Sequence, residues 1–347
     1  MTFHGTHAVP LLVAILLLVM GGVSGCTELQ AVPASVIVKR AQMQMGTIVS
    51  IMAVSRDKKA AQEAVHAGFQ EIKRLEQLLS TWRTDSELSR VNAEAGRRAV
   101  RVSQETMELV ARSLEMARQT GGGFNIAVGP AVELWSVTER QTIPNEETLR
   151  QLKPLVDWSS IELDERASTI FLPREGMRID VGGIGKGYAA DRAVEVMKRA
   201  GASGGVVALS GDIKTFGSLS DSGGFTVGIR HPRQEDMLLA TITLQDEAIS
   251  TAGDYERYFE REGIRYHHIL DPVTLLPARD CQSVTVVAPD GTTADGLDTG
   301  IFVMGRERGM ALAEQLPGVG AVIVDGEGKV WISSRLQGRV KLTGVEP

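Results

Sequence analysis

Two aspartates and a threonine near the C-terminal end of the chain have the spacing of a binding site. In 290-DGTTADGLDTGIFVMG-305, Asp295, Asp298 and Thr299 follow a turn rich in Asp, Gly and Thr and precede an apolar run. Residues three and four apart lie side by side on a helix, so these side chains share one face near a helix N-terminus. Their oxygens suit a hard cation such as Mg²⁺ better than Zn²⁺. The alternative is a helix start whose acids only cap the backbone and favour the helix dipole.

A glycine-rich stretch, 179-IDVGGIGKGYAADRA-193, has the order strand, loop, helix. Its glycines allow backbone N–H groups to approach a ligand closely, and the following helix N-terminus favours an anion. The stretch matches neither the Walker A pattern nor the dinucleotide fingerprint. A structural turn and a phosphate site therefore both remain open. Asp180 at the strand end and Lys186 in the loop favour binding.

Two other stretches carry single candidate residues. In 264-IRYHHILDPVTLLPA-278, His267 and His268 point to opposite faces of a predicted strand, so at most one is expected to face a given site. A surface or core role is the alternative for either histidine. In 121-GGGFNIAVGP-130, Phe124 and Asn125 follow three glycines. The ring of Phe124 either stacks on a planar ligand or anchors the core.

The elements that must position these residues are helices separated by blocks of strands. Apolar periodicity and turn residues predict strands at 45–54, within 160–182, from 205 onward, at 285–289 and within 320–336. Helices are predicted at 57–80, 103–120, 188–201, through the 290s and at 306–316, with a loop at 81–93. This order predicts an α+β fold of mixed, largely antiparallel sheets with packed helices, rather than a doubly wound fold.

The N-terminal sequence predicts export and lipidation. Residues 11–20 form an apolar block that is too short to span a membrane but has the length of a signal-peptide core. Val23-Ser24-Gly25-Cys26 resembles the lipobox of bacterial lipoproteins, although residues 1–10 contain no Lys or Arg. We therefore expect a lipoprotein signal peptide at 1–25 and lipidation of Cys26. The alternative is an ordinary secretory signal in which the Cys occurs by chance.

The remaining composition limits the domain organisation and the partners. We expect a tether at 26–40 and one large folded domain at 41–340. The 347-residue chain has a net charge of −6 and no Lys/Arg runs, which argues against nucleic acid as a partner. Cys281 is the only other cysteine, so lipidation of Cys26 leaves no intramolecular disulfide. Cys281 is predicted to be a small buried hydrophobe.

Nine motifs occur in an order that resembles one family, the ApbE-type flavin transferases (FAD:protein FMN transferases). These motifs are Met45-Gly46-Thr47, 86-SELSRVN-92, 121-GGGFN-125, 130-PAVELW-135, 180-DVGGIGKGYAADR-192, 211-GD-212, 253-GDYERYF-259, 267-HHILDP-272 and 294-ADGLDTGIFVMG-305. The resemblance runs from about residue 43 to 335. It implies a T-fold-like architecture with an active-site cleft between two intimately packed lobes.

The resemblance also implies an activity and a set of site residues. The family binds FAD as a substrate, uses Mg²⁺, transfers FMN through a phosphoester to a Thr or Ser hydroxyl of a partner protein and releases AMP. The implied metal-binding positions are the Gly183 carbonyl, Asp295 and Thr299. The implied FAD-binding positions are Met45, Trp82, Gly123, Phe124, Asn125, Asp180, Lys186 and Ile269. His268 matches a histidine near the reacting phosphate; His268 and Asp298 are the candidate bases, and Asp298 is also a candidate auxiliary metal ligand.

This chain departs from the family pattern at three places. Asn125 stands where the family usually has Asp, Ala252 where it has Ser, and 274-TL-275 where it has Thr-Gly. Asn125 keeps the shape of the side chain but loses its charge, and Ala252 removes a hydroxyl. The metal and phosphate motifs are intact, so we expect activity.

Two alternative functions remain open from the sequence. One is a Mg²⁺-dependent FAD pyrophosphatase that gives FMN and AMP; the other is a non-catalytic flavin-binding lipoprotein. For a transferase, the resemblance implies acceptor subunits of membrane redox complexes of the Nqr or Rnf type. The predicted location is the membrane, to which a lipid anchor attaches the protein, with the protein facing the periplasm or, more generally, the extracytoplasmic side.

Overall fold

The structure is a computed structural model that describes residues 35–219 and 223–343. The predicted signal peptide and Cys26 lie outside the described residues. Among the helices of the described part, none has the length and apolar character needed to cross a membrane.

An eight-stranded sheet forms the centre of the fold, and every neighbouring pair of its strands is antiparallel. Its strands, in spatial order, are β1 (Val36–Gln44), β2 (Thr47–Ser55), β6 (Gly204–Leu209), β7 (Asp212–Phe216), β10 (Ala248–Gly253), β13 (Cys281–Ala288), β14 (Gly320–Asp325) and β15 (Val330–Ile332).

Three smaller antiparallel sheets surround this centre. The first has the order β16 (Lys341–Leu342), β9 (Leu238–Leu244), β8 (Phe225–Arg230); the second has the order β3 (Val100–Arg101), β5 (Thr169–Phe171), β4 (Glu162–Asp164); the third pairs β11 (Tyr258–Arg261) with β12 (Ile264–His267). Apolar residues of β8 and β9, such as Ile229 and Ile242, pack with Ile249 and Val287 of the central sheet. The first small sheet therefore covers part of the central sheet.

Seven α-helices lie in the described part of the chain: α1 (Lys58–Leu79), α2 (Glu87–Ala93), α3 (Gln104–Gln119), α4 (Gly129–Trp135), α5 (Glu146–Leu152), α6 (Gly185–Arg199) and α7 (Gly291–Gln315). Helix α6 packs between α1 and α7, α1 also contacts β2, and α7 packs on β10 and β13. The main apolar core lies between these helices and the central sheet. This arrangement brings the N-terminal turns of α6 and α7 together.

The predicted α+β class and the antiparallel sheets are confirmed. The start of the helix predicted at 57–80 is also confirmed, since Asp57 is the N-cap of α1 and its carboxylate accepts hydrogen bonds from the backbone N–H groups of Lys59 and Ala60, at 3.3 and 3.0 Å. Ser103 likewise caps α3. Cys281 is buried and 2% exposed, as predicted. The predicted pair of C-terminal helices corresponds to one α7 that is interrupted at Gly305, where φ is 78° and ψ is 174°.

Three predicted boundaries are wrong. The loop predicted at 81–93 contains α2, because the hydroxyl of Ser86 caps a short helix by accepting from the Ser89 N–H at 3.0 Å. Helix α6 begins at Gly185 rather than 188, so two glycines assigned to the loop lie in its first turn. The tether predicted to end at residue 40 is also too long, because β1 already begins at Val36.

Candidate active site

A large cavity contains every candidate catalytic, FAD-binding and metal-binding residue from the sequence. Its volume is about 1830 Å³. A drug-sized ligand occupies a pocket of about 300–1,000 Å³, so this cavity is large enough for a dinucleotide. Its walls come from the β1–β2 turn, the segment between α1 and α2, residues 123–125, the start of α6, strand β8, residues 268–270 and helix α7.

Three buried carboxylates meet in this cavity and form what we call the acidic centre: Asp212, Asp295 and Asp298. Each offers one oxygen, and these oxygens all lie within 4.8 Å of one another. Asp212 is the first residue of β7, whereas Asp295 and Asp298 lie in the second and third turns of α7. The three side chains are only 2–3% exposed. Carboxylates are rarely buried unless a cation or hydrogen-bond donors compensate them.

Hydrogen bonds from the chain hold each carboxylate in place. The Lys186 ammonium forms an ion pair with Asp212 Oδ2. The backbone N–H of Gly187 donates to Asp295 Oδ2 at 2.8 Å. The Ser250 hydroxyl contacts both Asp212 Oδ1 and Asp298 Oδ2, the latter at 2.5 Å.

Thr299 connects the acidic centre to the glycine-rich turn. Its hydroxyl donates to Asp298 Oδ1 at 3.1 Å. A Cβ atom added to Gly183 would lie 3.1 Å from the same Thr299 oxygen, so the turn and helix α7 are in close approach. The structure therefore brings Gly183, Asp298 and Thr299 together.

The N-terminal turns of α6 and α7 are held together by Asp191. Its carboxylate accepts from the backbone N–H groups of Gly291 and Thr292, at 2.7 and 2.9 Å, and from the Thr292 hydroxyl at 2.7 Å. A Cβ atom on Gly187 would lie 2.0 Å from the Gly291 carbonyl oxygen. Glycine is required at this position because the two backbones are in contact.

Two members of the acidic centre, Asp295 and Asp298, have a raised proton affinity. Burial, followed by the charge of Asp212, raises the pKa of Asp295 to about 7. Burial also raises the pKa of Asp298 well above its ordinary value, with the charges of Asp295 and Asp212 as further causes. For Lys186, burial opposes the charged form, but Asp212 and Asp295 outweigh burial and raise the pKa of its ammonium.

The donor set fits a hard divalent cation. Three carboxylates face a single ammonium, so the ionised centre carries excess negative charge that a cation would neutralise. The Thr299 hydroxyl lies beside it and Gly183 is in close approach to Thr299, so this hydroxyl and the Gly183 carbonyl are candidates for further oxygen ligands. An all-oxygen set without His or Cys suits Mg²⁺ or a similar ion.

The candidate FAD-binding residues line other parts of the same cavity. Met45 lies in the β1–β2 turn with φ of 49°, and its N–H donates to Glu76 Oε1 at 2.9 Å. Trp82 is 76% exposed, which is unusual for such a large aromatic side chain. Phe124 is buried, and its N–H donates to the Thr120 hydroxyl at 2.9 Å. Gly123 and Ile269 also lie on the cavity wall.

The side chain of Asn125 is used by the fold itself. Its Oδ1 accepts from the Ala127 N–H at 2.8 Å, and its Nδ2 donates to the Val156 carbonyl at 3.1 Å. An ionised Asp has no N–H to donate to that carbonyl. Asp180, also on the cavity wall, accepts from the Gly182 N–H at 2.7 Å. Ala252, a second of the three departures, lines the cavity as well.

The two neighbouring histidines have different surroundings, but not through strand alternation as predicted, because β12 ends at His267 and His268 lies in the bend that follows. His267 is buried, donates from Nε2 to the Ala278 carbonyl at 2.6 Å and accepts at Nδ1 from the Ile269 N–H at 3.3 Å. His268 lines the cavity, and its Nδ1 lies 3.2 Å from the Arg257 carbonyl. A carbonyl only accepts, so Nδ1 of His268 carries the proton and Nε2 has a free lone pair. Burial, followed by the charge of Arg257, lowers the pKa of His268 well below its ordinary value.

Asp212 of the acidic centre, and Ser250, which hydrogen-bonds to it, had no role in the sequence-based prediction. Asp212 and Ser250 lie on β7 and β10, far in sequence from α7. The only signal was the position of 211-GD-212 among the family motifs. Their proximity to Asp298 depends on the order of strands in the central sheet, which the sequence pattern did not provide.

The fold and the site together define an α+β enzyme-like protein with a dinucleotide-sized cleft and an all-oxygen acidic centre. The profile described as the ApbE family matches residues 45–323. The chain belongs to the ApbE family.

Curated relatives and solved structures agree with this assignment. The chain is 35% identical over 323 residues to the FAD:protein FMN transferase of Treponema pallidum (strain Nichols), covering 87% of this chain and 88% of that protein. It is 32% identical over 295 residues to an FAD:protein FMN transferase of Klebsiella pneumoniae (strain 342), covering 84% of this chain and 90% of that protein.

Two solved structures have the same fold. The ApbE protein of Thermotoga maritima superimposes with a TM-score of 0.79 at 30% identity, covering 87% of this chain and 99% of that one. The flavin transferase ApbE of Vibrio cholerae gives a TM-score of 0.78 at 28% identity, covering 88% and 99%. The predicted fold and family are thereby confirmed, whereas the roles of individual site residues stay predictions.

Proposed function

We propose that this protein transfers FMN from FAD to a Thr or Ser hydroxyl of a target protein and releases AMP, with Mg²⁺ at the acidic centre. The observation that carries the proposal is the convergence of three buried carboxylates, Lys186 and the glycine-rich turn in one dinucleotide-sized cavity. The names of the relatives, FAD:protein FMN transferases, support FAD as the substrate and a protein as the acceptor.

The residues that would hold Mg²⁺ are Asp295, Asp298, Thr299 and the Gly183 carbonyl, with Asp212 beside them. When bound, the ion supplies positive charge to the pyrophosphate and orients it for in-line displacement. Asp295 is fixed by the Gly187 N–H and Asp298 by Ser250 and Thr299, so the oxygens are positioned before the substrate arrives. Such preorganisation is a major source of catalysis in phosphoryl transfer.

Lys186 and the start of α6 bind the phosphates. The ammonium stays charged because Asp212 and Asp295 raise its pKa against the effect of burial. Backbone N–H groups at the N-terminus of α6 add partial positive charge on the same side. Together they offset the negative charge that develops on the leaving AMP.

We assign the general base to His268 rather than to Asp298. Nε2 of His268 has a free lone pair, and its lowered pKa keeps the ring neutral at pH 7. Both oxygens of Asp298 already contact hydroxyl groups within the acidic centre. In the reaction, the acceptor oxygen bonds to the FMN-side phosphorus, its proton passes to His268, and AMP leaves with the bridging oxygen.

We also propose that the protein is a lipoprotein anchored through Cys26 and facing the periplasm. The apolar block at 11–20 and the lipobox-like residues 23–26 support this location. The acceptors would then be exposed subunits of membrane redox complexes of the Nqr or Rnf type. Radiolabelled palmitate in expressing cells should label the wild type and not Cys26→Ser; equal labelling would contradict the lipidation.

One experiment tests the proposed reaction. The protein is mixed with FAD, Mg²⁺ and a candidate acceptor subunit, and the acceptor is examined on a denaturing gel. Covalent flavin fluorescence on the acceptor, absent with Asp295→Ala, is the expected result. Free FMN and AMP at the same rate without acceptor would indicate a pyrophosphatase, and intact FAD under all conditions would indicate a flavin-binding protein.

A further inference from the structure

Strand β8 forms an unpaired sheet edge along the cavity. It is the outermost strand of the sheet with the order β16, β9, β8. Successive residues from Phe225 to Gly228, and also Arg230, line the cavity that holds the acidic centre. Neighbouring residues of a strand point to opposite faces, so a cavity that contacts all of them must border the edge of the strand.

The backbone groups on this edge have no partner in the described parts of the chain. Within residues 35–219 and 223–343, the backbone of β8 hydrogen-bonds only to β9. An antiparallel strand directs about half of its N–H and C=O groups to each side. The outward half of β8 is therefore available to another extended chain.

From Phe225 to Ile229, strand β8 has none of the charges, prolines or bulges that usually prevent edge-to-edge pairing; a charge and a register shift occur only at its last residue, Arg230. Its sequence, FTVGIR, contains no Pro and no Lys, and the register with β9 stays regular until the shift between Ile229 and Arg230. Thr226 and Gly228 are exposed and carry a small side chain or none, and the side chain of Arg230 is 40% exposed. Because the edge lies in the cavity, a peptide segment has access to it more readily than a whole folded sheet.

Apolar side chains beside this edge offer a surface for the residues of such a segment. Met237 and Leu238 are 53% and 40% exposed and line the same cavity. Leu238 covers Gly228, where an added Cβ would lie 2.6 Å from its methyl group. None of the candidate FAD-binding residues comes from β8 or β9, so this part of the cavity is left for another ligand.

We propose that the acceptor protein docks by adding an extended segment of about five or six residues to the β8 edge as an extra strand. The proposal rests on the proposed function, because it supposes that a protein hydroxyl receives FMN in this cavity. Main-chain hydrogen bonds then give affinity, and contacts of alternate side chains of the segment with Met237 and Leu238 give specificity. The remaining side chains of the segment point to the other face of the sheet.

A scan of N-methylated peptides tests this docking mode. The probes are peptides that span the modified hydroxyl residue of an acceptor labelled by the wild-type protein, each with one backbone amide methylated. Strand addition predicts an alternating pattern: every second methyl group lowers kcat/KM about tenfold through a lost hydrogen bond and a clash, and the others have little effect. A scan without this alternation would overturn the proposal.

Two adjacent proline variants give an independent test. Of Thr226→Pro and Val227→Pro, one removes an N–H that β9 uses and the other removes an N–H of the free edge. The variant that keeps the wild-type Tm should bind FAD normally, by quenching of flavin fluorescence, and lose about tenfold in kcat/KM for the acceptor. Wild-type kcat/KM in that variant would contradict docking at β8, and if both variants unfold, the peptide scan decides.

The experiments distinguish a failure of this docking proposal from a failure of the proposed transferase function. If the wild-type protein labels no acceptor with any FAD and Mg²⁺ concentration, the transferase function itself is wrong. If it labels the acceptor and the scan shows no alternation, only the strand-addition mode is wrong.

Discussion

The acidic centre and the β8 edge line one cavity but differ in how far the chain satisfies their polar groups. At the acidic centre, Lys186, Gly187, Ser250 and Thr299 contact the three carboxylates. At the β8 edge, the outward backbone groups have no partner within the described residues. The first region is built before any ligand binds, whereas the second is completed by its ligand.

This difference predicts which kinetic constant each region controls. Groups that are fixed in advance act on the charge that develops during reaction, so changes at the acidic centre should mainly lower kcat. Changes to backbone groups that are paired only when the acceptor binds, as at the β8 edge, should mainly raise the KM for the acceptor. The following predictions test the division, from the largest expected effect to the smallest.

Replacement of Asp295 should have the largest effect. Asp295→Asn removes a charge from the acidic centre, and we expect kcat for FMN transfer to fall about 10³-fold, since several kcal/mol of charge stabilisation is lost. The matched control is Asp290→Asn on the same helix. Asp290 caps α7 and pairs with Arg112, outside the cavity, and Asn is an equally good cap. If the control also loses activity, the loss in Asp295→Asn reflects damage to helix α7 and not the missing charge of Asp295.

Replacement of His268 should have the next largest effect. His268→Gln is expected to lower kcat about 10²-fold with little change in Tm, because the hydroxyl loses its proton acceptor. His66→Gln on the exposed side of α1 is the control. Because the pKa of His268 is lowered, the wild type should lose this base only well below pH 6.5. An acid limb at or above pH 6.5 that persists in His268→Gln would exclude His268 as its source.

Metal binding should strengthen as the pH rises. Bound Mg²⁺ displaces the proton of Asp295, whose pKa is about 7, so the apparent affinity should increase about tenfold from pH 6 to pH 8. The check is the rise in Tm caused by Mg²⁺ at each pH. In the metal-free protein the sign is opposite: the raised pKa of the folded state lowers stability as the pH rises from about 4 through 7. A Mg²⁺-induced rise in Tm that is independent of pH would contradict the assignment.

Replacement of Trp82 should have the smallest effect. Its side chain is 76% exposed, so Trp82→Ala should leave the free energy of unfolding within about 0.5 kcal/mol of the wild type. If the indole stacks on a ring of FAD, the KM for FAD should rise about three- to tenfold. Steady-state kinetics at varied FAD measures this, and an unchanged KM would remove Trp82 from the FAD-binding set.

The local elements of the fold were predictable where cap and periodicity agree. Apolar spacing predicts α1, and Asp57 is its N-cap; Ser103 is the N-cap at the predicted start of α3. Helix α2 was missed because its seven residues contain too few periodic apolar positions to separate it from a loop. The start of α6 was placed too late because Gly185 and Gly187 disfavour a helix, and contact with α7 overrides that preference.

The site was predictable only in the part that is local in sequence. Asp295, Asp298 and Thr299 share a helix face, so their spacing was enough to group them. Asp212 and Ser250 join them only because β7 and β10 are neighbours in the sheet, and Gly183 joins them because α6 packs on α7. Such long-range pairings cannot be read from local periodicity.

The most direct test is a crystal structure of the protein with FAD and Mn²⁺, an ion that accepts the same oxygen ligands as Mg²⁺. The account predicts an anomalous Mn²⁺ peak within bonding distance of Asp295, Asp298, Thr299, the Gly183 carbonyl and the FAD pyrophosphate. A pyrophosphate bound away from α7, or a Mn²⁺ ion held elsewhere while the acidic centre stays protonated, would contradict it.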